Sequence, residues 1–175
     1  GYPRRYTVRA GAWRGVIQTG LYVPGDESGE PMPVELTAGF GAGRAMGTYA
    51  ITLVIFFAID LVWLGVVAKN FYRQYIGHLM SPDVNWGAAI LFYLIYIGGI
   101  VFFAIKPAIE AGSAARALAY GAAFGFIAYA TYDLTNQATM RDWPVLVTVV
   151  DLAWGTVLTA TVAYLAYQVS SRVLG

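Results

Sequence analysis

The chain has 175 residues, 58% of them hydrophobic and only 12% charged, with a net charge of +1. Soluble domains carry about 25% charged residues, so the composition points to a membrane protein and offers no basic face for nucleic acid. Cysteine is absent and His78 is the single histidine; this excludes disulfides and thiolate ligands, and argues against a zinc site, which draws on several His or Cys.

The first 45 residues differ from the rest. They hold 9 of the 20 Gly, 4 of the 7 Pro, 5 Arg and no Lys. No run there is apolar for long enough to cross a membrane. Tyr6–Val23 alternates weakly, as a hairpin does. "GFGAGR" at 39–44 has the outline of a dinucleotide loop, but Arg44 stands where the third glycine belongs, and the strand–helix context is missing. Residues 1–45 are expected to be an N-terminal extension, poorly ordered or upstream of the natural start, with Met46 as that start. Residues 46–175 are expected to form the membrane domain.

Four windows then approach the 20 or so apolar residues that a spanning helix needs: 48–67, 87–105, 115–134 and 146–167. They predict an all-α protein, four transmembrane helices in an antiparallel bundle. Lys69, Trp86, Lys106, Trp143, Tyr167 and Arg172 stand at their ends, where aromatic and basic side chains favour the headgroup level. Pro107 and Pro144 lie where a helix should stop or start. Between the first two windows, Phe71, Tyr72, Tyr75, Ile76 and Leu79 are spaced for one face of a short amphipathic helix in the interface. Gly98-Gly99 and Gly121-x-x-x-Gly125 read as close-packing contacts.

Three aspartates interrupt this pattern. Asp60 precedes Ala68 by eight residues and Asp151 follows Pro144 by seven, which puts them about 12 and about 10 Å below the same membrane face at 1.5 Å per residue. Asp133 falls at the same end of the third window. Each intramembrane carboxylate costs roughly 2.5–3.5 kcal/mol on insertion scales, so such groups face the bundle interior or a wet cavity. Asp60, Asp133 and Asp151 are the candidate catalytic residues. Tyr93, Tyr96, Tyr129, Tyr132, Asn136, Gln137, Arg141 and Trp154 are the candidate ligand-binding residues around them. In a competing reading the aspartates accept hydrogen bonds from Tyr or Thr, or pair with Arg141, and only hold helices together. Trp63 and Trp154 each follow an aspartate by three residues. In antiparallel helices that spacing sends Trp63 toward the membrane surface and Trp154 toward the midplane, as packing residues.

The segments "IDLVWLGVVAKNFY" (59–72), "GHLM" (77–80), "NWGAAILFYLIYIGG" (85–99), "AYATYDLTNQAT" (128–139) and "DWPVLVTVVDLAWGTVLTA" (142–160) resemble a bacterial family of inner-membrane proteins known as domain of unknown function twenty-one seventy-seven. The resemblance covers about three quarters of the chain. It implies a four-helix protein of the bacterial inner membrane and brings no activity, cofactor or substrate with it.

Three functions stay open: a membrane enzyme or lipid-handling protein that takes an amphiphile, a proton- or cation-coupled carrier of a small solute, and a non-catalytic accessory or assembly subunit. Membrane lipids are the expected partners, and a homo-oligomer is compatible with the carrier. No metal-ligand set is read. From Met46 onward the cationic residues divide three against three between the two faces; the five arginines of the extension place the start of the first helix in the cytoplasm, and the aspartates toward the periplasm.

Overall fold

The structure is a computed structural model, and it describes residues 40–175. The hairpin reading at Tyr6–Val23 and the poorly ordered extension lie outside the described residues.

The described residues are helical, without strands. Helix α1 spans Ala42–Val67, starting ahead of both Thr48 and Met46. Its last turn is widened: the Ala68 N–H reaches five residues back to the Trp63 carbonyl at 2.8 Å, the bonding of a π-turn. Ala68 is buried, and the chain folds directly into α2, Lys69–Ile76. This is the short helix expected from the aromatic spacing. Helix α3, Trp86–Glu110, is capped by Asn85, whose side chain accepts from the Ala88 N–H at 3.1 Å. Ser113 caps α4, Ala114–Thr139, in the same way at 3.3 Å. Gly112, at φ +58, makes the turn between them. Pro144 precedes α5, Val145–Val173, as its place in the sequence suggests.

Two boundary expectations fail. Pro107 does not end α3. A proline offers no N–H and crowds the carbonyl four residues before it, but a π-turn at Val101–Ile105 shifts the bonding register, with Lys106 N–H on the Val101 carbonyl, and the helix continues to Glu110. The third window, expected to end at 134, likewise runs on through "TNQAT". That stretch forms the last turns of α4, and the chain reverses only at Arg141–Asp142, where Asp142 has φ 58.

Helices α1, α3 and α5 are long and apolar enough to cross a membrane, with 26, 25 and 29 residues. Helix α4 has 26 residues but is richer in Ala, Gly, Thr and Tyr. Polar side chains are buried within an otherwise apolar core, and the outside is apolar as well. Thr48, Thr52, Asp60, Asp133, Thr148, Asp151, Thr159 and Ser170 are buried, while Val54, Leu61, Val66, Ile90, Ile95, Phe102 and Val157 are exposed. Water would expel such a surface and lipid accepts it. Some buried hydroxyls are answered within a helix and some across helices: Thr52 Oγ1 donates to the Thr48 carbonyl at 2.7 Å, and Tyr96 shares a 2.7 Å bond with Thr159.

Helices α4 and α5 make the closest approach. A Cβ at Gly121 would lie 2.8 Å from the Thr159 carbonyl and the Ala163 side chain; one at Gly125 would collide with the Gly155 carbonyl, and one at Gly155 with the Tyr129 ring. Small residues thus let the two backbones touch. Numbers rise along α4 as they fall along α5, and the same stagger brings Asp133 level with Asp151.

Candidate functional site

The three aspartates are all buried, at 4% exposure for Asp60, 0% for Asp133 and 8% for Asp151. The Trp63 and Trp154 rings stack face to face, 4.1 Å apart and 9° from parallel, where α1 meets α5. The two indoles, read from the sequence as packing residues pointing toward the surface and toward the midplane, are thus in direct contact.

Each carboxylate then has its own partners. Tyr93 donates to Asp60 at 3.1 Å. The Trp154 indole N–H comes near Asp60 without closing a hydrogen bond. Tyr72 donates to Asp151 at 2.5 Å, and the Trp63 indole N–H donates to the Tyr72 oxygen at 3.4 Å. Asp133 differs: neither of its oxygens meets a donor among the described residues, and the group opposite, within hydrogen-bonding reach, is the Asp151 carboxyl. Two carboxyls can bond to each other only with a proton between them.

Two cavities flank Tyr129. One, of about 310 Å³, is lined by Phe92, Tyr96, Ala128, Tyr129, Tyr132 and Asp151. The other, of about 130 Å³, includes Asp60, Trp63, Tyr72, Tyr93 and Trp154 in its walls. The sequence set thus divides. Tyr96, Tyr129 and Tyr132 accompany Asp151; Tyr93 and Trp154 accompany Asp60. Asn136 lies one turn beyond Tyr132, within reach of its hydroxyl, and Gln137 is half-buried beside it. Arg141 is exposed, and among the described residues the one ion pair is Lys106–Glu110 at 3.7 Å, so the expected arginine–aspartate pairing is not formed. Among the described residues no three His, Asp or Glu groups come together to hold a metal ion.

Sequence reasoning missed Tyr72 as a site residue and treated it as an interfacial aromatic. Its signal was its place on the apolar face of α2; what could not be read was the π-turn that folds α2 back onto Asp151. Burial beside that carboxylate holds the Tyr72 phenol above its ordinary value, so it remains a donor. A phenol raised in the folded state stabilises below its unfolded pKa of about 10, and that contribution is lost as pH climbs through the folded value. Tyr72→Phe is expected to lower stability by about 1.5 kcal/mol at neutral pH. Chemical unfolding of both forms between pH 7 and 11 should show the gap narrowing above about pH 10; a gap that widens there contradicts this bond.

Buried carboxyls, lipid-compatible outer faces and several long apolar helices define a helical integral membrane protein. The chain matches, over residues 45–168, the family described as Predicted membrane protein (DUF2177), and it belongs to that family. No curated protein and no solved structure matches it.

Proposed function

We propose that the chain is a four-span antiparallel bundle of the bacterial inner membrane, α4 being the fourth span and α2 lying in the interface, and that it binds an amphiphile drawn from the surrounding lipid. The observation that carries this reading is the 310 Å³ cavity of aromatic walls with the Asp151 carboxyl in its lining. Ligand sites are concave, mostly apolar and furnished with a few polar groups that fix orientation. Phe92, half exposed on the lipid side of α3, and Tyr132 at the cavity edge leave a lateral way in for a chain. Asp60, Asp133 and Asp151 are then the polar end of the site, with Asp151 able to hold or exchange a proton at the head of the ligand.

Ala128 lines the same cavity, and Ala128→Trp would fill it. Native mass spectrometry of protein extracted from its own membranes should show a bound amphiphile on the wild type and none on the variant. Equal retention by both, or none by either, would remove the reading. The facing Asp133 and Asp151 carboxyls favour a second reading, a proton-coupled carrier, in which transport in proteoliposomes would acidify or alkalinise the lumen.

A further inference from the structure

We propose that the ligand of the Asp151 cavity is a cationic amphiphile, whose ammonium head lies among the aromatic rings and against the Asp133–Asp151 pair. This rests on the reading of the cavity as an amphiphile site. Four of its six lining residues are aromatic, and their walls are already assembled: Phe92 and Tyr96 stack at 5.4 Å, and Tyr129 meets Tyr96 edge-on at 6.4 Å. Rings presented around a small space attract ammonium groups through their faces. A carboxylate in the same wall adds the counter-charge.

Asp133 makes the second, independent argument. It is fully buried, yet both of its oxygens lack a donor among the described residues. A buried carboxylate left so is costly unless paired. Asp133 is not itself in the cavity wall, but it faces Asp151, which is. An ammonium head placed beside Asp151 brings a positive charge next to the pair. Nothing in the described structure competes for that role. Lys106 is paired with Glu110, Lys69, Arg73, Arg116, Arg141 and Arg172 are exposed, and Arg44 lies in the first turn of α1, far along that helix from Asp60. With one proton shared the pair keeps a single negative charge, which would repel an anionic head and which an uncharged head would leave unneutralised. The volume of about 310 Å³ lies at the small end of ligand sites, enough for a head and the first part of a chain. The remainder would run out past Phe92 and Ile95, which are exposed on the lipid side of α3.

The test uses two photoreactive probes of one chain length, a diazirine-bearing dodecylamine and the matching dodecanol, added to the full chain in lipid nanodiscs. Labelled peptides are read by mass spectrometry. The amine should label the peptides holding Tyr96 and Tyr129 at least tenfold more than the alcohol. Asp151→Asn should bring amine labelling down to the alcohol's level. Tyr132→Leu, which alters an exposed ring rather than the core, should lower amine labelling several-fold and leave the alcohol unchanged, so the proposal stays testable if Asp151→Asn fails to fold. Equal labelling by both probes in the wild type would overturn the cationic head while leaving an amphiphile site in place. Labelling of the cavity by neither would overturn both.

Discussion

Gly155→Leu is expected to destabilise the bundle by about 3 kcal/mol or more, the largest effect of any single substitution considered. A Cβ at this position would occupy the space of the Tyr129 ring, and the Gly155 carbonyl already abuts the place where Gly125 lacks a side chain. Neither neighbour can give way easily. The added Cβ would meet Tyr129 at Cγ and Cδ2, the base of the ring and not a flexible far end, and that ring lies edge-on to Tyr96. Gly125 is bounded by backbone. Overpacking in a close-packed core costs typically 1–3 kcal/mol, and more where the obstruction is rigid. The control is Gly65→Leu, since a Cβ there meets nothing within 4 Å. Unfolding in mixed micelles should separate the two variants clearly. A Gly155→Leu protein as stable as the Gly65→Leu one would show that α4 and α5 do not pack as described. Because Asp133 and Asp151 face each other only through this contact, the same variant should also lose the site.

Much of this was legible in the sequence and some was not, for identifiable reasons. The apolar windows gave the long helices, because crossing a bilayer demands length and composition that are visible in one dimension. Gly121 and Gly125 were readable as close contacts because their four-residue spacing puts them on one helix face. Asp133 and Asp151 could be assigned to the same end of the bundle from connectivity. The stacking of Trp63 on Trp154 between α1 and α5 could not be read, since it depends on side-chain directions that spacing alone does not give. The role of Tyr72 was hidden by the turn at Trp63–Val67, and the passage of α3 through Pro107 by the turn at Val101–Ile105. Both are register changes with no signature in hydropathy. Arg141 looked like a partner for the aspartates because it is close in sequence to Asp133; the turn at Arg141–Asp142 leaves it exposed.

The central claim is that the Asp133–Asp151 pair is held for a ligand rather than for the bundle, and Asp133→Asn tests it most directly. The substitution keeps the shape, removes one of two facing carboxyls and supplies an amide donor to Asp151. A buried polar group without a partner costs about 1–3 kcal/mol, so relief of that cost should appear as a gain of similar size. Asp60→Asn, at a carboxylate already bonded by Tyr93, should show no such gain. Melting of the three proteins in ligand-free lipid nanodiscs at pH 7 is the measurement. The account expects Asp133→Asn to be the most stable of the three. A loss of several kcal/mol, as when one member of a buried pair is removed, would contradict it and make the carboxyl pair part of the scaffold.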